Sequence, residues 1–135
     1  MYLKVSPFKV IQGKKKGKLS LKYVGPYEIL EKIRLVAYRI ALPVALANIH
    51  NVIHVSQLWK HELDPMQVLR NEIIEIRSDL TYPEEAVQIL DQRDQVLRNK
   101  VILLVKVLWR NHDEEKATWE REEEMEISYP HLFNL

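Results

Sequence analysis

The sequence contains no cysteine and no apolar run long enough to span a bilayer. A disulfide framework is therefore excluded. A structural zinc site would have to use histidine and carboxylates alone, a ligand set that such sites rarely use. Neither a glycine-rich phosphate loop nor a Ser-His-Asp set is visible. We therefore expect no cofactor, no membrane partner, no small-molecule ligand and no enzymatic activity.

Charge is divided unevenly along the chain. Residues 1–60 contain 11 basic and two acidic side chains, which gives +9, whereas the remaining 75 residues contain nine basic and 17 acidic ones, which gives −8. This split favours two modules with different partners. The basic half suits nucleic acid. The acidic half suits a basic peptide or a solvated surface.

The lysine-rich stretch from Gln12 to Lys18 carries four lysines between and beside two glycines. Two interpretations are equally favoured: a loop that binds phosphates, and a hairpin loop whose lysines keep it soluble. The preceding apolar residues 3–11 are interrupted by Pro7, so we expect at best a short edge strand there.

Short strands dominate the rest of the first half. Val36, Tyr38, Ile40 and Leu42 alternate with Ala37, Arg39 and Ala41 in a period of two, and Pro43 ends the run. A short strand is predicted at 52–55, followed by one helical turn at 56–60. Several short strands separated by turns predict a small barrel. His50, His54 and His61 are interpreted as ordinary polar residues, since no cysteine and no organised acid accompanies them.

A second β-module is predicted from Tyr82 onward. Its clearest signal is a long strand in which every second residue from Val101 to Trp109 is apolar. A third strand follows at Ala117–Glu120, and the acidic run 120–126 favours the start of a helix.

Four blocks of the first half resemble the integrase C-terminal region of gypsy-type LTR retrotransposons. They are Lys18-Leu19, Lys22-Tyr-Val-Gly-Pro-Tyr27, Ala37-Tyr-Arg-Ile-Ala-Leu-Pro43 and His50-Asn-Val-Ile-His-Val-Ser-Gln-Leu58. In that family the Gly-Pro-Tyr element lies in an SH3-like barrel. The barrel is implied to bind double-stranded DNA without sequence preference and to help integrase subunits associate.

The second half resembles a chromodomain through Leu104-Val-Lys-Val-Leu-Trp-Arg-Asn-His112 and Ala117-Thr-Trp-Glu120. The order of the two modules is typical of chromoviruses. The resemblance implies an SH3-like module at 1–62, a linker at 63–80, and a chromodomain at 81–135 with a three-stranded antiparallel sheet and a helix. It also implies a nuclear, non-catalytic integrase fragment, because the catalytic core is absent. The fragment would direct integration by docking on a histone tail, above all that of H3.

The same resemblance assigns site residues. A methylated lysine would be held by cation–π contacts in an aromatic cage. The cage set is Trp109, His112, Tyr82 and Glu84, while Trp119 is assigned to the core. The tail would add as a strand beside 84–90, at Glu85, Ala86 and Val87. The DNA-binding set is Lys14, Lys15, Lys16, Lys18 and Lys22.

Three departures from the family pattern keep an alternative open. The position of the first cage aromatic is occupied by Glu84, and the nearest ring, Tyr82, comes two residues early. His112 replaces a better cation-binding ring, and Lys116 stands where an acid is common. The alternative is a nucleic-acid-binding and dimerisation fragment without histone-mark recognition.

Overall fold

The computed structural model describes residues 1–17, 19–69 and 75–133. Lys18, and residues 70–74 of the predicted linker, lie outside the described residues. The predicted fold class is confirmed: the chain is mainly β, with an SH3-like part and a three-stranded sheet followed by a C-terminal helix. Within the described part of the chain, no helix is both long and apolar enough to cross a bilayer.

The chain forms two compact units, and each is built from two segments. The first unit comprises Met1–Pro7 and Ser20–Tyr82, and the second comprises Phe8–Leu19 and Pro83–Leu135. Relative to the predicted modules, residues 8–19 therefore group with the second half. The stretch predicted as a linker groups with the first unit, where Ile76 is buried in the core.

Strand β1 (Tyr2–Ile11) is longer than expected and is paired in both of its halves. Its first half pairs antiparallel with β3 (Lys22–Val24), and its second half with β2 (Lys14–Lys16). The prediction of a short edge strand at residues 3–11 is therefore wrong. Pro7 lies between the stretch that pairs with β3 and the stretch that pairs with β2.

The lysine-rich stretch is a tight hairpin. Gln12 and Gly13 have φ values of 53° and 70°, as the two central residues of a type I′ turn require. The hairpin interpretation of this stretch therefore matches the backbone. Phosphate contact by its lysines stays a prediction.

The rest of the first unit is a second small sheet with a short connecting strand. The sheet has the order β4 (Ile29–Arg34), β5 (Ala37–Ile40), β6 (Val52–His54), and β7 (Leu58–Trp59) pairs with β1. The helical turn predicted at 56–60 is a 3₁₀ turn at Val55–Gln57. The core is formed by Leu3, Val5, Val24, Ile40, Leu46, Ile49, Ile53, Leu58, Ile76 and Tyr82.

Gly25 is required by close backbone approach in the Gly-Pro-Tyr element. Its φ is +127°, and a Cβ there would lie 3.1 Å from the Tyr27 nitrogen and 3.2 Å from the Met1 oxygen. The Tyr27 N–H in turn donates to that Met1 oxygen at 2.7 Å. A side chain at position 25 would therefore displace the start of β1.

The second unit is a long hairpin with a third strand and a short helix. After β8 (Thr81–Glu84), its elements are β9 (Ala86–Leu97), β10 (Lys100–Trp109), β11 (Thr118–Arg121) and α1 (Glu122–Ser128). The sheet order is β11-β10-β9, and both neighbours are antiparallel to β10.

The core of the second unit lies on one face of β10. Val105, Val107 and Trp109 are fully buried there, as the period of two predicted, and Met125 of α1 packs on them. Ile11 and Leu19 belong to the same cluster. The hairpin of residues 8–19 therefore supplies part of the hydrophobic interior of this unit.

Candidate functional site

Trp109, assigned to the cage, is a core residue in this structure. Its side chain is 0% exposed, and its ring meets Tyr129 edge-on with centroids 6.5 Å apart. Its Nε1–H donates to Thr118 Oγ1 at 2.8 Å, which satisfies the polar end of the indole. A ligand could reach this ring only if the core opened, and the role of Trp109 in a cage stays a prediction with that condition.

Thr118 links Trp109 to a buried ion pair. The Thr118 hydroxyl donates to Glu120 Oε2 at 2.5 Å, and the same oxygen accepts from Lys9 Nζ at 3.0 Å. A carboxylate with two donors, one of them charged, is well satisfied at low exposure. The Thr-Trp-Glu motif thus places its threonine and glutamate toward the interior.

Trp119, the other aromatic of that motif, is only partly buried. The Arg93 guanidinium lies 4.2 Å from the centroid of its ring, within cation–π range. Trp119 pairs with Lys106 of β10, on the face opposite Val105 and Val107. In this structure Trp109 is the interior residue, because it shares the inward-facing side of β10. Trp119, which the resemblance assigns to the core, lies on the other face.

His112 and Glu84 form a buried polar pair. His112 Nδ1 lies 3.3 Å from Glu84 Oε2, and both side chains are 1% exposed. Asn111 Nδ2 lies 3.2 Å from each oxygen of the same carboxylate. Together these residues tie the turn after β10 to the end of β8. Asn111 had no signal in the sequence beyond being a polar residue in a predicted turn.

Tyr82, the fourth residue of the predicted cage, is also 0% exposed. It belongs to the core of the first unit, whereas Trp109 belongs to the core of the second. The structure therefore brings His112 and Glu84 into contact but does not present the predicted set as an open aromatic cage.

The predicted peptide-binding strand lies at the start of β9. Ala86 is buried opposite Trp109, while Glu85 is exposed and pairs with Arg110 at 3.6 Å. The Arg110 N–H donates to the Glu85 carbonyl at 2.9 Å. Within the described residues β9 has a strand partner on one side only, namely β10. Its outer edge, which includes Val87, is therefore of the kind that accepts an added strand.

Tyr129 anchors the C-terminal segment to β1. Its hydroxyl donates to the Val10 carbonyl at 2.6 Å. Burial raises the pKa of Tyr129, the Ala86 backbone opposes this, and the negative charges of Glu85 and Glu84 raise it further. The phenol is thus held in its neutral, donating form.

The predicted DNA-binding lysines differ in accessibility. Lys14 and Lys15 are exposed on β2, with Lys15 Nζ 4.8 Å above the Phe8 ring. Lys16 is half-buried and lies 3.7 Å from Glu124. Lys22 is only 6% exposed, and its ammonium donates to the Met66 carbonyl. Lys22 therefore directs its charge at a backbone oxygen in the interior, and its contact with DNA stays a prediction.

The histidines of the first unit make local contacts. His54 Nδ1 accepts from the Ser56 N–H at 3.0 Å, and His50 Nδ1 accepts from the Val52 N–H at 3.4 Å. In residues 1–17, 19–69 and 75–133, no group of three or more histidine or carboxylate side chains is placed to hold a metal ion.

Comparison with known proteins places only the first part of the chain. No curated protein and no solved structure matches the sequence. A family model described as Tf2-1-like, SH3 domain, from a retrotransposon-associated family, matches residues 1–62.

Proposed function

We propose that the chain is the DNA- and chromatin-binding C-terminal part of a retrotransposon integrase, non-catalytic by itself and acting in the nucleus. The observation that carries the proposal is the retrotransposon-associated SH3 match at 1–62, followed by a sheet-and-helix unit of the chromodomain type. Neither part alone would specify this function, because small barrels and three-stranded sheets serve many functions.

DNA binding is supported by the position of the exposed cations. Lys14 and Lys15 project from the β2 hairpin, and Lys32 and Arg34 are exposed on β4. Exposed cations without a fixed geometry contact phosphates and not base edges. We therefore expect DNA binding to be weak, independent of sequence and strongly dependent on salt.

Tail binding is supported by the open edge of β9. An extended basic tail, such as that of histone H3, would pair its backbone with this edge and place alternate side chains on either face. Glu85 lies at the start of the edge and is 62% exposed at its side chain, so it can attract a lysine or arginine of the tail. Association of integrase subunits through the first unit is a further part of this proposal.

In the alternative function the fragment does not recognise a histone mark. The burial of the predicted cage residues favours this alternative. Trp109, Tyr82 and His112 are all buried, so these three rings do not form a preformed surface for a methylated ammonium. Under this alternative the fragment binds DNA and basic segments without regard to methylation.

The deciding experiment is a titration of the whole chain with three probes: duplex DNA, an unmodified H3 tail peptide, and the same peptide trimethylated on one lysine. Calorimetry gives the affinities, and amide NMR shifts give the location. Shifts at residues 84–90 with either peptide support the tail-binding proposal. DNA binding without any peptide binding contradicts it and leaves the nucleic-acid function alone.

A further inference from the structure

The distal half of the long hairpin has a second open edge, on the side of β10 away from β9. Strand β11 pairs with β10 from Leu104 to Val107 and then gives way to α1. In the described part of the chain no strand pairs with residues 100–103 on that side, although β9 continues beside them on the other. Four residues of β10 therefore keep one free edge.

Three of the four side chains at this edge are apolar, and two of these three are exposed. Val101 and Leu103 continue the inward-facing side of β10 past the end of the core, and they are 56% and 52% exposed. Val96, which pairs with Val101, is 76% exposed. Proteins usually protect such an edge with lysine, proline or a β-bulge. Lys100 lies at the start of this edge, and the bulges between β9 and β10 lie between residues 106 and 109.

The edge is the floor of a groove whose wall is acidic. The groove has a volume of about 510 Å³ and runs between residues 100–103 and the start of α1. Glu122, Glu123 and Glu126 line it, with Lys100 and Arg121 as its cations. The lining thus carries three carboxylates against two basic groups.

These three carboxylates have no ion-pair partner among the described residues, unlike the neighbouring Glu120 and Glu124. The helix dipole accounts for acids in the first turn of α1, and so for Glu122 and Glu123. It does not account for Glu126, which lies beyond that turn. The groove therefore presents a net negative charge beside exposed apolar side chains and an unpaired backbone edge.

We propose that this groove binds an extended basic segment of a partner protein, which adds as a strand beside residues 100–103. The segment would direct lysine or arginine side chains to Glu123 and Glu126 and place an apolar side chain near Val101 and Leu103. Four residues of edge span roughly 13 Å, so the interface is short and its affinity modest. The site is separate from the β9 edge and does not depend on it.

The test uses the whole chain and a nine-residue peptide of alternating lysine and valine, followed by amide NMR. We expect the amides of 100–103 to shift. E123Q/E126Q should weaken binding by about two- to thirtyfold, the range expected for the loss of two exposed charge pairs. The matched control is E114Q/E115Q, which removes two exposed carboxylates elsewhere in the same unit. A peptide with N-methylated backbone should not bind, because it cannot form the ladder.

Three results would overturn the proposal. The first is shifts confined to 84–90, which would place the peptide on the β9 edge. The second is equal weakening by both pairs of substitutions, which would mean attraction by net charge alone. The third is a dimer in sedimentation that Leu103→Lys dissociates, which would make a second copy of this chain the occupant. Melting temperatures of all variants should stay near that of the parent, so that loss of binding is not loss of folding.

Discussion

Lys9 and Glu120 lie 111 positions apart in sequence, yet their Nζ and Oε2 atoms are 3.0 Å apart and both side chains are mostly buried. This ion pair joins the second half of β1 to β11. The Tyr129 hydroxyl bond to the Val10 carbonyl and the bond from the Gln12 N–H to Ser128 Oγ, at 2.5 Å, act at the same junction. The N-terminal hairpin is therefore a structural part of the second unit.

Removing the hydrophobic anchor of this hairpin should destabilise the second unit. Ile11 is 0% exposed, and Ile11→Ala should lower the free energy of unfolding by about 2–5 kcal/mol, because less apolar surface is buried and a cavity remains. Urea denaturation followed by tryptophan fluorescence measures this. Leu35→Ala is the control, since Leu35 is 85% exposed and its truncation should cost little. Equal effects of the two would mean that residues 8–19 do not contribute to the core.

The two tryptophans of the second unit should differ in the opposite order from the one that family resemblance implies. Trp109→Ala should cost about 3–5 kcal/mol, because it empties the core and leaves Thr118 Oγ1 without its indole donor. Trp119→Ala should cost less, because it removes a half-buried ring and its Arg93 contact. Thermal melts of both variants check this. A lower melting temperature for Trp119→Ala would favour the roles that the resemblance implies.

These tryptophans also show what the sequence could predict. The alternation from Val101 to Trp109 placed Trp109 with Val105 and Val107 on one face, and that face is the core. The family alignment assigned Trp109 elsewhere, since it transfers a role without its surroundings. No local pattern could reveal that residues 8–19 complete this core, because the interaction joins segments far apart in the chain. Nor could composition show that Lys22 is buried whereas Lys14 and Lys15 are exposed.

Alkaline pH should destabilise the chain through Tyr129. Burial raises its pKa, so the folded state keeps a phenol proton that the unfolded state loses near its ordinary value of about 10. The stability contributed by this group is complete below that value and is lost as pH rises through the folded-state pKa. Urea denaturation at several pH values should show a shallower alkaline loss for Tyr129→Phe. The variant should also be about 0.5–1.5 kcal/mol less stable at neutral pH, because its bond to Val10 is gone. Identical pH slopes would contradict the prediction.

Binding to duplex DNA should depend on the β2 hairpin. Lys14→Gln with Lys15→Gln should reduce the slope of log affinity against log salt by about 0.9 for each phosphate that the hairpin no longer neutralises. Lys100→Gln with Lys116→Gln is the matched control, because it removes two exposed lysines from the acidic half. Fluorescence anisotropy over a range of salt concentrations measures the slopes. If the control pair flattens the slope equally, net charge and not the hairpin determines binding.

Methylation of a bound tail should change its affinity little. A single exposed cation–π interaction gives ~0.5–1 kcal/mol, or about two- to fivefold, and here Trp109 would first have to leave the core. Only molecules with an open core could bind in this way, so the observed affinity is reduced in proportion to the fraction of molecules that are open. We therefore expect trimethylated and unmodified H3 peptides to differ by less than about fivefold in calorimetry.

A conservative substitution separates a closed core from a working cage. Trp109→Phe keeps an aromatic side chain in the interior but offers a weaker cation-binding face. If Trp109 remains buried during binding, this variant should bind both peptides with the same ratio as the parent. Glu85→Gln should weaken both equally, because that exposed carboxylate lies at the start of the β9 edge and does not distinguish a methylated from an unmodified cation. A parent preference above about tenfold that Trp109→Phe abolishes would mean that the core opens and that Trp109 holds the methylated ammonium.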